Sequence, residues 1–518
     1  MNEKEKLQSA VSFTVATGYQ LDKEAFEFLN AISQTGDPVE LMKKVIEKVE
    51  KLQEKPLFIG ESFLKEVAKE SFQKLKEETP PLQLEPPSPV PEGKRTFRPY
   101  AKDVDTDIKV IEDPTDKMCS RGTLDDYLEY FQDRFKKIRK ILKRRIDVRD
   151  ATSISDALKA TQNEKVKIIG IVTEKRETGQ RALLRVEDLK DQVTVLVPRN
   201  ASPELMKKAQ KLLLDQVICV SAVKGRNNLL IADDFIWPDI PQKTPRRASE
   251  PVYAALTSDL HVGSKMFMRK EFNLFTLWLN GKYGNAGLRQ LASHVKYVVV
   301  AGDIVDGVGV YPNQIEELAI PDIYEQYQAA SKFLEQIPDY IEVIIIPGNH
   351  DACRKALPQP AIPDGYAEPL YEARKIHSFG NPCTISLHGV ELLLAHGRSL
   401  DDVAATVPTL DLHAPAKAME ILLQSRHLAP IYGRRTRIAP EKQDFMVIKR
   451  APDIFHAGHV HVFQYDMYRG TLVVNSGAWQ EQTSYQRNMG LEPTPGVAPI
   501  VNLQTLHVTP VSFVKGAF

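Results

Sequence analysis

The stretch YVVVAGDIVD, residues 297–306, joins an uninterrupted hydrophobic run to two carboxylates. Apolar residues in a row, followed by a glycine, are typical of a strand that is buried on both faces and ends in a sharp turn. In sheets built from such strands, ligands bind at the carboxyl ends. We therefore expect Asp303 and Asp306 to face a functional site.

Four other short motifs place ligand-type residues beside hydrophobic runs. They are SDLH at 258–261, GNHD at 348–351, AHG at 395–397 and GHVH at 458–461. Their oxygen and imidazole donors are Asp259, His261, Asn349, His396, His459 and His461. Together with Asp303 they predict a site for two divalent cations, the arrangement that enzymes use to hydrolyse phosphate esters.

The chemistry of each donor indicates its place in this site. Asp303 has two carboxylate oxygens and is expected to bridge two cations roughly 3.5–4 Å apart. Asp259 and His261 are two positions apart and are expected to point to the same side and bind one cation, whereas Asn349 binds the other. Mixed oxygen and nitrogen donors favour manganese, iron or zinc over calcium. Manganese is the preferred prediction, and magnesium remains an alternative.

The residues next to Asn349 are predicted to carry the chemistry. His350 is expected to protonate the leaving oxygen or to stabilise charge in the transition state. Asp351 is expected to bond to His350 and to select its tautomer, and Asp306 to orient the loop or a ligand. Bound cations lower the pKa of water, which supplies the nucleophile near neutral pH.

The C-terminal half alternates hydrophobic runs with helical patterns. The predicted strands are 252–258, 297–301, 342–347, 391–395, 454–457 and 472–475, and helices are predicted at 269–279 and 323–337. This alternation predicts a layered α/β domain over residues 250–518.

Residues 161–245 are predicted to form a small β-barrel domain. Five short strand patterns, with a helix at 203–214 between the third and the fourth, resemble the order of an OB-fold. Many OB-folds bind single strands by stacking bases on aromatic residues, but here only Phe235 and Trp237 are present, at the end of the last strand. We therefore expect a packing module.

The N-terminal part is predicted to be a helical domain at 1–76 and a proline-rich linker at 77–120, followed by a connecting helix at 121–160. A helix with one apolar face is expected over 37–52. Thr123 and Asp126 form a capping-box pattern at the start of an apolar stripe that begins at Leu124. The basic end of this helix fits either a solvated terminus that complements the helix dipole or a phosphate contact.

Composition limits the function classes. The chain has 518 residues, and its 68 basic residues equal its 68 acidic residues, so a global field for nucleic acid is excluded and a local patch or a partner is expected. The four cysteines form no CxxC pair, as expected in a reducing cytoplasm. The sequence predicts neither a signal peptide nor a membrane span.

The five motifs resemble the pattern of the calcineurin-like metallophosphoesterases. The order of helical region, proline-rich linker, OB-like barrel and phosphoesterase domain, with the insert RHLAPIYGRRT at 426–436 ahead of IAPE at 438–441, further resembles the small subunits of archaeal D-family DNA polymerases. Related eukaryotic B-subunits have lost the metal ligands that are present here.

This resemblance implies a 3′–5′ exonuclease that proofreads single-stranded or mismatched DNA 3′ ends beside a large catalytic polymerase subunit, as a heterodimer or a larger assembly. One metal site would then comprise Asp259, His261, Asp303 and His461, and the other Asp303, Asn349, His396 and His459, with His350 as the catalytic residue. Three arginines within and directly after the insert either contact the DNA backbone or are solvated: Arg434, Arg435 and Arg437.

Two other functions remain open from the sequence. The chain could be a non-catalytic scaffold of the polymerase with a vestigial site, although its ligands are intact. It could also be a metallophosphatase or a cyclic-nucleotide phosphodiesterase of small substrates, although the barrel and the insert do not favour this.

Overall fold

The computed structural model describes residues 97–178 and 181–514 and, ahead of them, residues 10, 13, 14, 17, 19–21, 25, 28, 29, 38–50, 58–60 and 64. The chain divides into two compact units, within residues 1–89 and 90–517. None of the helices in these ranges is long and apolar enough to span a membrane.

The described part of the N-terminal unit contains β1 (Gln20–Leu21), α1 (Pro38–Glu50) and β2 (Phe58–Ile59). Helix α1 buries its predicted apolar face, including Met42, Val45 and Val49. The sequence predicted a helical domain here, but the described residues also include strands β1 and β2, which pair in parallel. Most of the predicted linker, residues 77–96, lies outside the described residues.

The second unit begins with elements that the sequence assigned to linker and connecting helix. They are β3 (Ile108–Glu112), α2 (Leu124–Leu142) and α3 (Ile154–Lys159). Strand β3 forms the edge of a six-stranded sheet, so the linker prediction is wrong at its C-terminal end. The Thr123–Asp126 capping box is confirmed. The apolar stripe is buried only in the second half of α2, because Leu124 is 76% and Leu128 54% exposed.

A closed five-stranded barrel follows. It consists of β4 (Lys165–Thr178), β5 (Arg181–Glu187), β6 (Gln192–Val197), α4 (Pro203–Gln210), β7 (Val217–Lys224) and β8 (Leu229–Ile236). The strand order is β4-β5-β6-β8-β7, and the helix lies between the third and fourth strands, as predicted. Phe235 and Trp237 are buried in its core, which agrees with a packing role.

The remaining chain forms two six-stranded sheets with helices. The elements are β9 (Tyr253–Thr257), α5 (Arg269–Leu279), α6 (Ala286–Ser293), β10 (Val295–Ala301), α7 (Ile323–Leu334), β11 (Glu342–Ile346), α8 (Asp364–Ala373), β12 (Ile376–Ser378), β13 (Cys383–Leu387), β14 (Val390–Leu394), α9 (Leu400–Thr406), α10 (Pro415–Ser425), β15 (Ile454–Ala457), β16 (Gln464–Tyr468), β17 (Thr471–Asn475), α11 (Ser484–Asn488), β18 (Val497–Asn502) and β19 (Val508–Ser512). The sheet orders are β12-β11-β10-β9-β18-β19 and β16-β17-β15-β14-β13-β3.

The two sheets pack face to face and carry helices on their outer faces. Alternate residues of a strand face opposite sides of its sheet. In β10, Val299 therefore packs against the second sheet, in one cluster with Leu392, whereas Val298 packs against α5 and α7, in another cluster with Phe275. Strands β9, β10 and β11 run in parallel, as do β14 and β15, so the motifs emerge at strand ends as predicted.

Candidate metal centre

The loops after β9, β10 and β15 turn through left-handed backbone conformations to present their side chains. The φ angles are 53° at Asp259, His261 and Asp303, 71° at His459 and 63° at His461. Residues other than glycine adopt such angles at a cost of about 1–3 kcal/mol each and are concentrated at functional sites. Asp259 and His261 therefore converge through turns, and not through the side-chain alternation of an extended strand.

One group of donors consists of Asp259, His261 and His461. The Nε2 atoms of His261 and His461 are 3.2 Å apart, and His461 Nε2 is 3.3 Å from Asp259 Oδ1. Two imidazole nitrogens at this distance repel each other unless a proton or a cation lies between them. The structure thus brings together three of the four ligands predicted for the first site.

Asp259 has one carboxylate oxygen that fits a cation. Its Oδ2 accepts hydrogen bonds from the backbone N–H of His459, at 2.9 Å, and from the Ser258 hydroxyl. Its Oδ1 is buried and has no hydrogen-bond partner within the described ranges. An unpaired buried carboxylate oxygen is costly, so this atom fits a metal ligand.

The second group consists of Asp303, His396 and His459. His396 Nε2 lies 3.2 Å from Asp303 Oδ2 and 3.1 Å from the amide oxygen of Asn349. His396 Nδ1 donates to the backbone carbonyl of Ala301, at 2.8 Å, which directs Nε2 to the site. Because Asp303 Oδ2 is also 3.7 Å from His261 Nε2, Asp303 lies between the two groups, at its predicted bridging position.

Three polar residues orient the imidazoles from behind. Asp306 Oδ1 lies 2.8 Å from His261 Nδ1, which gives it a ligand-orienting position. Asp401 Oδ2 lies 3.3 Å from His459 Nε2, and the Gln486 amide lies 2.8 Å from His461 Nδ1. The sequence did not predict that Asp401 or Gln486 contacts a histidine, although the segment 398–402 was expected at the metal pocket. The two adjacent acidic residues at 401–402, shortly after His396, could have indicated Asp401. No feature of the sequence indicates Gln486.

His350 and Asp351 differ from their predicted arrangement. His350 Nδ1 donates to the backbone carbonyl of Asp306, at 2.7 Å, and its side chain is 15% exposed. Asp351 does not select this tautomer, because its carboxylate accepts the backbone N–H groups of Ile304 and Gly348. The predicted role of Asp351 required a contact with His350. This contact is wrong, because the Asp351 carboxylate instead joins two loops inside the protein.

The electrostatics show a buried anionic site. Although burial opposes ionisation, His396 and His350 lower the pKa of Asp303. Burial opposes charge on His396 as well, yet Asp303 beside it raises the pKa of that imidazole to about 9. Burial, followed by repulsion from Asp303, raises the pKa of Asp351 to about 6. Several carboxylates beside imidazoles are a donor set that suits divalent cations.

Five of the donors line a cleft with a volume of about 280 Å³, namely His261, Asp303, Asn349, His459 and His461. Two arginines, Arg398 and Arg435, also line the cleft. Burial acts to raise the pKa of the Asp401 carboxyl, but His459 and, after it, the two arginines lower this pKa below its usual value. The insert is held here by Asp402, which accepts the backbone N–H of Arg435 at 3.0 Å. All three arginines predicted to contact DNA are exposed. Among the described residues, Arg435 lines the cleft, whereas Arg434 and Arg437 do not.

Comparisons with known proteins show the family of this chain. A family model for the B subunits of DNA polymerases alpha and epsilon matches residues 254–464. A DNA polymerase II small subunit from Methanocaldococcus jannaschii is 41% identical over 407 residues, which cover 78% of this chain and 68% of that protein. One from Archaeoglobus fulgidus is 42% identical over 391 residues, which cover 75% and 77%.

These relatives are longer than the matched region. The chain spans only 62% and 63% of the two small subunits from Pyrococcus horikoshii and Pyrococcus furiosus that it matches. Among solved structures, a novel archaeal phosphodiesterase is 12% identical, with a TM-score of 0.27, and covers 50% of this chain and 99% of that one. This likeness is too weak to support a functional inference.

Proposed function

This chain belongs to the family of archaeal DNA polymerase II small subunits, the D-family that its motifs indicated, and on this premise we propose that it is a metal-dependent 3′–5′ exonuclease. It acts as the accessory subunit of a replicative DNA polymerase and proofreads unpaired or mismatched 3′ ends for the large catalytic subunit. The observation that supports this proposal is the pair of buried donor groups joined by Asp303. The 3′–5′ polarity rests on the family resemblance.

Two divalent cations fit the donors. Asp259, His261 and His461 would hold one, and Asn349, His396 and His459 the other, with Asp303 shared by both. The unpaired Oδ1 of Asp259 supports this assignment. When bound, such cations lower the pKa of water and neutralise charge on the phosphoryl group. Manganese is the preferred metal from the donor types, and iron, zinc and magnesium are the alternatives.

His350 moves the proton. Because a carbonyl oxygen only accepts hydrogen bonds, the contact with Asp306 keeps a proton on His350 Nδ1, so Nε2 is the atom that exchanges a proton. During hydrolysis, water oxygen forms a bond to phosphorus, the bond from phosphorus to the O3′ of the preceding nucleotide breaks, and O3′ takes up a proton. His350 Nε2, 4.0 Å from Asp303 Oδ2, faces the cleft in a position to take up the proton that the attacking water loses and to pass it to O3′.

Other parts of the chain hold the substrate and the partner. Arg398 and Arg435 contact the DNA backbone, as expected of cations beside a phosphate-cutting site. Residues 250–518 form the metallophosphoesterase domain, and the barrel within 161–245 is an OB-fold module that packs rather than binds nucleic acid. Its strand order and its buried aromatic residues support that assignment.

A cleavage assay tests the proposal. The full chain, alone and with its large subunit, is incubated with manganese and a 5′-labelled single-stranded oligonucleotide. We expect a ladder of shortened labelled products, which Asp303→Asn abolishes. Asp364→Asn is the matched control, because Asp364 is exposed at the start of α8.

Each alternative function has its own outcome. If neither preparation produces a ladder and metal analysis finds the site empty in an active polymerase complex, the chain is a scaffold. If bis(4-nitrophenyl) phosphate is turned over faster than DNA, the chain is a phosphoesterase of small substrates. Release of one labelled nucleotide from the 5′ end would overturn the polarity.

A further inference from the structure

One wall of the metal cleft is apolar and exposed. Tyr485 and Met489 lie one helical turn apart, at α11 and directly after it, and are 61% and 50% exposed. Leu412, Leu491 and Val310 line the same cleft. Large apolar side chains with this much exposure lose hydrophobic stabilisation unless a ligand covers them.

The apolar wall is held together by a hydrogen bond between two loops. The backbone N–H of Glu492 donates to His413 Nε2, at 3.2 Å, and His413 Nδ1 lies 2.8 Å from Asp411 Oδ1. This link places Leu412 and Leu491, the neighbours of His413 and Glu492, on one side of the cleft. The wall is therefore built from separate chain segments that converge.

The rest of the cleft is polar. Five of the metal donors line it, and so do Arg398 and Arg435. A ligand that fits such a cleft has a flat apolar part and an anionic part in one molecule. A nucleotide at the end of a strand has both, because its base is flat and its phosphate is anionic.

We propose that Tyr485, with Met489 and Leu412, forms a subsite that stacks the unpaired base of the 3′-terminal nucleotide, an inference that rests on the proposed function. A paired base is covered by its neighbours and bonded to its complement, so it must leave the duplex to reach this wall, at a cost that is lowest for a mismatched end. The subsite thereby supplies a selection for frayed ends, beyond the hydrolysis that the metal donors carry out.

Helix α11 connects this subsite to the metal donors. Gln486, next to Tyr485, accepts the backbone N–H of Thr483 at 3.0 Å in a capping box, and its amide also lies 2.8 Å from His461 Nδ1. The helix that carries the stacking ring is thus fixed against a metal ligand. A stacked base would be held at a constant distance from the phosphate to be cut.

A fluorescence titration tests the subsite. A single-stranded oligonucleotide with 2-aminopurine at its 3′ end is titrated with the full chain in the His350→Ala background with manganese, in which turnover is slow enough for binding to be observed. We expect quenching on binding, because the fluorescent base stacks on Tyr485. Adding Tyr485→Ala should remove the quenching and weaken binding about tenfold, within the range for one base on one aromatic ring. Tyr485→Phe should retain both.

The control is Tyr324→Ala, because Tyr324 is 53% exposed and lies at the start of α7, outside the lining of the cleft. Quenching that is absent, or that is equal with and without Tyr485→Ala, would overturn the subsite. A ladder in the cleavage assay without quenching would refute only the subsite. Quenching without a ladder would leave the subsite standing and refute the proposed nuclease.

Discussion

His350 donates from Nδ1 to the backbone carbonyl of Asp306, 2.7 Å away, and not to the carboxylate that follows it in the sequence. The GDIVD and GNHD motifs are thereby joined at the side chain proposed for proton transfer. A carbonyl acceptor selects the tautomer without adding a charge. Burial lowers the pKa of His350 to about 4, so its imidazole is neutral at pH 7.

This arrangement separates the effects of two adjacent substitutions. His350→Ala removes the proposed proton donor, so the rate of nucleotide release should fall roughly 10²- to 10⁴-fold. Unfolding by urea should be nearly unchanged, because the Asp306 carbonyl keeps a second hydrogen bond, from the Gln314 amide at 2.8 Å. Loss of stability together with activity would show that His350 is structural.

Asp351→Asn, unlike His350→Ala, should reduce the stability of the protein. The buried carboxylate accepts backbone N–H groups from Ile304 and Gly348, and an amide in its place presents an N–H donor to other donors. We expect the free energy of unfolding to fall by about 2 kcal/mol or more, measured by urea denaturation. A variant with wild-type stability and no activity would restore the predicted catalytic role.

Gly458→Ala should disable one metal position. A Cβ at this position would collide with Ser258 Oγ and Asp259 Oδ2 and would displace the carboxylate. We expect bound manganese, measured by calorimetric titration, to fall from two ions per chain to one. The matched control is Gly365→Ala, because a Cβ there meets nothing within 4 Å. Unchanged stoichiometry in Gly458→Ala would remove Asp259 from the ligand set.

Adjacent arginines of the insert should differ in their effect on DNA binding. Arg435 lines the cleft, whereas its exposed neighbour Arg434 is outside the described lining. Arg435→Ala should weaken binding of a single-stranded oligonucleotide and reduce the slope of log K against log salt concentration by about 0.7, the value for one phosphate contact. Arg434→Ala should leave the slope unchanged, and equal slopes for both variants would contradict the assignment.

A buried cluster behind the insert should make the protein sensitive to acid. His427 Nε2 lies 2.7 Å from Asp444 Oδ2, which also accepts from Arg134 Nε at 2.8 Å. Burial and then the Arg134 cation lower the pKa of His427 to about 4. Below about pH 6.5, the ordinary pKa of histidine, the unfolded chain therefore binds a proton at His427 that the folded chain does not. The free energy of unfolding consequently decreases as the pH is lowered.

The share of this loss that His427 causes should extend from about pH 6.5 to about pH 4 and amount to roughly 3 kcal/mol, measured by urea denaturation across this range. His427→Gln should reduce the loss in this window by about that amount, whereas the contribution of His350, whose pKa is also about 4, remains in both proteins. The control, His507→Gln, replaces an exposed imidazole and should keep the wild-type curve. Stability of the wild type that is constant over the window would contradict the assignment.

Much of the fold was predictable because it depends on local patterns. Strand β10 is visible as an apolar run that ends at Gly302, where φ is 90° and a Cβ would meet the backbone of Gly348. The barrel strands are visible in the same way. Strand β3 was not, because a short exposed edge strand beside a proline-rich segment has the composition of a linker.

Most of the candidate site was also predictable, but its supporting residues were not. The motif residues Asp259, Asp303 and His396 converge as expected. Asp401 and Gln486 lie in the short helices α9 and α11, which give no periodic signal, and each reaches its histidine from a different part of the chain. The direction of Asp351 was unpredictable because a turn decides whether a carboxylate faces the cleft or the backbone.

The sequence by itself determined the donor types, their order and the strands that carry them, because burial and turn formation act over a few neighbouring residues. Only the tertiary structure decided which donors meet, such as Asp303 between two groups, His350 on the Asp306 carbonyl and Gln486 behind His461. The last two of these contacts join residues that are 44 and 25 positions apart in the chain. Tertiary structure, and not local propensity, brings such residues together: β10 and β11 pair in parallel, so the loops that carry Asp306 and His350 emerge at the same edge of one sheet.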